Sequence, residues 1–342
     1  MRAAGILSSR VCARRKSAFT NLCLAVIYSL IVLPGVARPQ EILPSPGCQG
    51  GQYTISISVD MVVLYATVRN RSGALVSGLG REDFQVYEDG VLQQVESFSH
   101  EDIPVTVGLV VDNSGSMRPK RAEVISAVLA FARSSNAEDQ MFVVSFNENV
   151  SFGLPDDTPF TDKEAQLKAA LSGIAADGRT ALYDAVAAAL EHLKKGNRDK
   201  KVLIVISDGG DNASKYDLAQ IMAMAGQSDA IIYTIGVFDE NDPDRNPRAL
   251  KRLAQATGGE AFLPGSVKEI FPICRQIAHD IRNQYSIAYV PTNGKRDGAY
   301  RLIQVNAGTP GRERLLVGTR AGYYAPLKPQ PAQPVPAARA IP

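Results

Sequence analysis

Four short apolar runs, rich in β-branched residues, lie at 105–111, 141–146, 202–206 and 231–237, and helical patterns fill the gaps between them. Val124, Val128 and Phe131 recur at spacings of four and three, with Ile125, Leu129 and Ala132 beside them. Tyr183, Val186, Leu190 and Leu193 recur at three, four and three. Leu250, Leu253 and Ala254 mark a shorter helix, and Ile270, Ile273, Ile277 and Ile281 a last one. Continuous apolar runs suit strands covered on both faces, as in a parallel sheet between helical layers. The alternation therefore predicts an α/β domain over residues 101–283, with a doubly wound, mainly parallel sheet flanked by helices. About 180 residues is ample for one such domain.

In open sheets of this kind ligands bind beyond the carboxyl ends of the strands. Two acidic motifs fall there. Asp112-Asn113-Ser114-Gly115-Ser116 directly follows the first run, and Ser207-Asp208-Gly209-Gly210-Asp211 follows the third. A further oxygen donor, Thr180, stands in Asp177-Gly178-Arg179-Thr180, a turn just before the helix expected over 181–195. Each has a plainer reading. Thr180 suits the N-cap of that helix, and Ser114 and Ser116 could cap the helix expected from Lys120. Asp208 suits a turn. Against this stands a coincidence: three loops, each at the end of an element, each carrying the hard oxygen type that Mg²⁺ accepts while keeping several waters.

The order D-x-S-x-S, then Gly-x-Thr, then Ser-Asp-Gly, on this alternating framework, resembles the von Willebrand factor type A domain. The framework covers roughly half the chain, and the three motifs are specific in combination. The resemblance implies a metal-ion-dependent adhesion site for Mg²⁺ (or Mn²⁺). Ser114 and Ser116 would ligate the metal through their hydroxyls, and Thr180 directly or through a water. Asp112 and Asp208 would act mainly through waters and by holding the serines. All five positions are filled. A cation with hydroxyl ligands and few bound carboxylates keeps much of its charge, which favours an added Glu or Asp from a partner protein.

The flanks read as strands. Residues 53–68 alternate, with Ile55, Ile57 and Val59, then Val63, Tyr65 and Thr67. Asn70-Arg71-Ser72-Gly73 and Glu88-Asp89-Gly90 are turn signals, the second suited to a hairpin. Residues 285–290, 300–305 and 314–319 are strand-like again. Neither flank alone has enough strands for a core. The expectation is that 53–100 and 284–324 meet in one small β-sandwich; two separate appendages are the alternative. This layout is similar to exported bacterial proteins of a "VWFA-related" family.

The ends set the compartment. Arg2, Arg10, Arg14, Arg15 and Lys16 precede the mostly apolar run 19–36, which closes on Gly35-Val36-Ala37. Residues 1–37 read as a signal peptide, which predicts a periplasmic or secreted protein with no membrane insertion after cleavage. An uncleaved membrane anchor is the alternative. Residues 38–52 read as a linker and the proline-rich stretch 325–342 as a disordered tail. The whole chain carries +2, and losing those five bases leaves about −3. No basic stripe remains for a nucleic acid. Cys48 and Cys274 could pair in an exported chain, and His100, His192 and His279 are too scattered for a histidine-based zinc site. The function expected is a metal-dependent protein-binding module for adhesion or scaffolding, not an enzyme. A structural envelope protein whose metal only stiffens loops is the alternative. A metal-dependent hydrolase fits less well, because no nucleophile–base pair is visible.

Overall fold

The computed structural model describes residues 61–173, 176–238, 245–308 and 315–327. The expected signal peptide, the linker, Cys48, the first part of the 53–68 strand and the tail from 328 onward lie outside these residues. Among the described residues no helix is long and apolar enough to cross a membrane.

The apolar runs form the centre of a six-stranded sheet. They are β5 (Val105–Asp112), β6 (Gln140–Phe146), β8 (Lys200–Ser207) and β9 (Ala230–Gly236). All eight residues of β5 and all seven of β9 are buried. Such strands need a helical layer on each side. A short antiparallel β7 (Val150–Phe152) closes one edge and β10 (Ala261–Phe262) the other, giving the order β10-β9-β8-β5-β6-β7. The helices are α1 (Arg121–Ser134), α2 (Glu164–Ser172), α3 (Leu182–Leu193), α4 (Leu218–Gln227), α5 (Pro247–Thr257) and α6 (Ile270–Arg282). The chain steps from β5 to β6 in one direction, then from β6 back across to β8 and on to β9 in the other. Right-handed crossovers put α1 on one face and α3, α4 and α5 on the opposite one. The last helix, α6, packs along α1.

The flanks meet, as the strand count required. β1 (Val62–Arg69), β2 (Phe84–Glu88), β3 (Val91–Gln93) and β4 (Val95–Ser99) come from the N-terminal side. β11 (Tyr285–Tyr289), β12 (Tyr300–Ala307), β13 (Leu316–Gly318) and β14 (Gly322–Tyr324) come from the other. They build two four-stranded sheets, β13-β1-β11-β4 and β14-β12-β2-β3, each mixing both flanks. Leu64, Val68, Phe84, Val86, Ile287 and Val305 lie in the shared core. The hairpin expected at Glu88-Asp89-Gly90 joins β2 to β3, with φ of 47° at Asp89 and 81° at Gly90. Two successive left-handed residues make the turn that matches strand twist, and glycine adopts the second without strain.

The sandwich sits against the α/β layer at the amino ends of the parallel strands. Arg69 on β1 reaches Asp280 (2.6 Å) and Glu260 (3.0 Å), and Arg320 reaches Asp229 (3.2 Å). Gln284 donates to Thr67 Oγ1 (3.0 Å) and to the Tyr233 hydroxyl (3.2 Å). Cys274, buried in α6, is a free thiol among the described residues, and burial pushes it up to about 12. Lys200 lies buried at the start of β8, donating to Ile281 O, with its ammonium 5.1 Å from the centre of the Tyr65 ring. Burial pulls Lys200 down from 10.5 to about 7, against the opposing pull of Asp102 and Asp139.

Two outcomes follow from this packing. A chain ending after Asn283 loses β11 from between β1 and β4 and β12 from beside β2. Residues 38–283 should then aggregate or bind a hydrophobic dye, whereas a soluble fragment that keeps 61–98 resistant to protease would refute the shared sandwich. Lys200 should give stability a pH dependence. Below pH 7 its ammonium is charged in both states and the burial cost is fully present. Between about 7 and 10.5 the unfolded chain keeps a proton that the folded chain releases, so stability rises with pH. The stability difference between Lys200→Met and the parent should therefore favour the variant most at pH 6 and shrink towards pH 10. A constant difference across that range, from urea unfolding, would contradict it.

Candidate functional site

β5 ends at Asp112 and β8 at Ser207, and the two are neighbours although the chain between them visits β6 and β7. Connections leave this pair towards opposite faces, so their carboxyl ends flank the crevice where such sheets bind ligands. Asp112 holds the crevice together. Its Oδ1 accepts the Ser114 N–H (2.8 Å), and its Oδ2 accepts the Ser207 hydroxyl (2.7 Å) across the strand pair. The Ser116 hydroxyl donates to Asp208 Oδ2 (2.7 Å), and the Ser114 and Ser116 hydroxyl oxygens lie 3.2 Å apart. Asp208 Oδ1 accepts the Gly210 N–H (3.0 Å). Asp112, Ser114, Asp208 and Thr180 are buried and Ser116 is half-buried.

Gly209 makes the Asp208 turn feasible. Its φ is 79°, and a Cβ there would meet Asn246 O at 2.5 Å. The Asn246 N–H in turn donates to Asp208 O (3.1 Å), pressing this loop onto the start of α5.

Thr180 joins the group through its backbone. Its loop is tied to the first one where the Gly115 N–H donates to Gly178 O (3.1 Å) and the Asp177 N–H to Asn113 O (2.9 Å). It is tied to the other where the Thr180 N–H donates to Asn212 Oδ1 (2.9 Å). Thr180 does not act as the N-cap of α3. Ala181 occupies that position and makes no side-chain cap. The free N–H groups of the first turn are satisfied from another loop: Tyr183 donates to Asp211 Oδ2 (2.9 Å) and Asp184 to Ser214 Oγ (3.0 Å). Nor does the Ser114 side chain cap the 3-10 turn Gly115–Lys120 that leads into α1. The hydroxyls that could have been spent on capping are thus left for the crevice.

Burial pushes Asp112 up to about 6, hydrogen bonds from Ser114 and Ser207 pull it back, and the neighbouring charge of Asp208 adds to the rise. Among the described residues no Lys or Arg is hydrogen-bonded to either of the two carboxylates in the crevice, and every candidate donor is a hard oxygen. That chemistry fits Mg²⁺ or Mn²⁺ and is a poor match for softer metals. Among the described residues no group of three or more His, Cys, Asp and Glu could hold a metal, so any ion here depends on the hydroxyls. The histidines are elsewhere. His100 stacks on Tyr285, His192 packs among Phe142, Phe152 and Phe160, and His279 is exposed beside Asp280.

The five residues expected from the sequence therefore lie on three mutually bonded loops. Four of them form one chain of side-chain contacts, and Thr180 is fixed beside them by its main chain. The reading of the sequence gave no role to Ser207 and Asp211, though both stand in the quoted motif, and passed over Asn212 and Ser214. The partners through which they join the other loops lie 28 to 95 residues away, so no local spacing marks those bonds.

Residues 107–210 match the family model for the von Willebrand factor type A domain, and all five candidate residues fall within that stretch. Among solved structures, a von Willebrand factor type A protein from Catenulispora acidiphila is similar at 16% identity and a TM-score of 0.47, covering 80% of this chain and 75% of its own. The conserved hypothetical protein BatB from Bacteroides thetaiotaomicron is similar at 17% identity and a TM-score of 0.42, covering 52% and 98%. The von Willebrand factor domain of the type V pili tip protein Mfa5 from Porphyromonas gingivalis is similar at 15% identity and 0.42, covering 53% and 97%. No curated protein matches the chain.

Removing the remote cap tests how the Thr180 loop is held. Asp211→Ala should cost about 0.5–2 kcal/mol of stability, the usual range for a lost N-cap. Urea unfolding should show a lower midpoint at unchanged slope. An unchanged midpoint would mean that α3 does not depend on Asp211.

Proposed function

Because the chain carries a von Willebrand factor type A domain, we propose that it is a metal-dependent protein-binding module, acting outside the cytoplasm. Ser114, Ser116 and Thr180 hold Mg²⁺ (or Mn²⁺) there, and Asp112 and Asp208 hold the serines and the metal's waters. The partner is a protein that offers a Glu or Asp to the remaining face of the ion. One observation carries this reading: the Ser114 and Ser116 hydroxyls lie with the two buried carboxylates, Ser116 donating to Asp208, and the Thr180 loop is bonded to both of their loops. The Ser114 side chain stands at the N-cap of the turn Gly115–Lys120 yet makes no cap there.

The chemistry favours binding over catalysis. The bound ion would supply positive charge at an open coordination position. The protein's own residues fix that position: Asp112 through Ser114 and Ser207, Asp208 through Ser116 and Gly210. The carboxylates are already engaged as acceptors, and a general base with its own orienting partner is not part of the cluster. An added carboxylate on the ion is a charge-assisted contact whose gain is offset by desolvation, so affinity should respond strongly to EDTA and to competing acidic peptides.

Calorimetric titration of EDTA-stripped protein should show a single Mg²⁺ or Mn²⁺ site, with thermal stabilisation that grows with metal concentration. Ser114→Ala should weaken it. Asp208→Ala should leave the buried β8 in place yet abolish Mg²⁺-dependent capture of an acidic partner peptide. Absence of heat and of thermal stabilisation with both metals would sink the metal site. Capture that survives Asp208→Ala and EDTA would move the binding surface elsewhere.

A further inference from the structure

Thr180 is the one candidate ligand whose side chain has no hydrogen bond to the other four, so something else must set its place. That task falls on a residue of a different loop. Asn212 lies four residues after Asp208 and grips Thr180 from both sides. Its side-chain Oδ1 accepts the Thr180 N–H (2.9 Å), and its own N–H donates to Thr180 O (3.0 Å), an oxygen that also accepts the Ala213 N–H (3.1 Å). Both main-chain polar groups of Thr180 are therefore satisfied by the loop that carries Asp208, 32 residues away. Thr180 is buried, so an unpaired N–H there would be costly.

We propose that Asn212 is the positioning residue for Thr180, and that through this grip the Asp208 loop fixes where the Thr180 hydroxyl meets the cation. The inference rests on the reading of the cluster as a metal site and adds a residue that the ligand motif does not contain. Neighbouring bonds have other targets. Asp211 and Ser214 hold Tyr183 and Asp184 in the first turn of α3. Asn212 alone among these side chains touches Thr180, so it sets the step from the loop into the helix. Its side chain suits the place: Oδ1 accepts the Thr180 N–H while its main chain donates to Thr180 O, and alanine would keep only the second of these bonds.

The test uses the full chain and Mg²⁺ itself as probe. Asn212→Ala, Asn212→Asp, Thr180→Ala and the double variant Asn212→Ala/Thr180→Ala are compared with the parent by calorimetric titration, with amide exchange of 177–183 measured on metal-free protein. Asn212→Ala should weaken Mg²⁺ binding about tenfold, the worth of a lost buried hydrogen bond, and should speed exchange at Thr180 without metal. The double variant should bind no more weakly than Thr180→Ala, and Asn212→Asp, which keeps the acceptor, should recover most of the affinity. Unchanged Mg²⁺ affinity and unchanged exchange in Asn212→Ala would overturn the proposal. So would additive losses in the double variant, which would mean that Asn212 acts on the metal by another route. A parent that binds no Mg²⁺ removes the metal reading and this proposal with it. A parent that binds, and is weakened by Ser114→Ala but not by Asn212→Ala, removes this proposal alone.

Discussion

The Asp112 carboxylate is the interaction on which the crevice depends. One oxygen sets the turn that brings Ser114 and Ser116 round, and the other reaches across to Ser207 on the neighbouring strand. β5 and β8 are parallel neighbours, but the loops that leave them run to opposite faces of the sheet. Without a bond across the gap those loops would be free to splay. A neutral side chain could make one such bond, but a carboxylate accepts both at once. Its burial lifts it to about 6, so keeping it charged near neutral pH has a cost that a bound cation would offset.

Around this bond the work of holding the loops is divided. Three of the helices that start on this side of the sheet are capped from places that leave the crevice hydroxyls alone. Asp211 and Ser214 serve α3, Asp217 caps α4 by accepting the Gln220 N–H, and Asn246 caps α5 by accepting the Ala249 N–H. Asn246 also fastens its own N–H to Asp208 O. Caps normally draw on the nearest serine, threonine or aspartate. The nearest such group to α3 is Thr180, and Asp211 and Ser214 accept the N–H groups of its first turn instead.

The sequence revealed the parts of the fold that depend on uninterrupted burial. β5, β8 and β9 were visible because every residue must be apolar or satisfied when both faces are covered. α3, α5 and α6 were visible because one stripe of each faces the core. α2 and α4 were missed for the corresponding reason. α2 buries only Leu167, Ala170 and Leu171, and α4 only Ile221 and Ala225, so neither carries a sustained stripe. β7 and β10 are edge strands of three and two residues, too short to alternate. The candidate site residues were legible because their motifs are local. The residues that hold them were not, because an amide that grips a backbone 32 residues away leaves no pattern in the chain. The helix cap offered for Thr180 was reasonable from position alone. It fails because the cap is supplied through space.

The geometry of the parallel sheet explains why the sandwich and the crevice do not compete for the same end. β5 is the first strand of the sheet, so the chain must enter at the amino ends. α6 is a returning helix, and its last turn brings Ile281 O to Lys200 at the start of β8, so the chain also leaves there. Entry and exit at one end place β4 and β11 side by side, where they pair directly, with Ser286 opposite Ser99 and Ile287 opposite Phe98. The two flanks therefore close a common core without any long linker. The same constraint keeps them from the carboxyl ends. Arg69 then locks the arrangement by reaching Asp280 at the close of α6 and Glu260 beside β10. The crevice at Asp112 and Asp208 is left at the opposite, carboxyl end of the strands, clear of the sandwich.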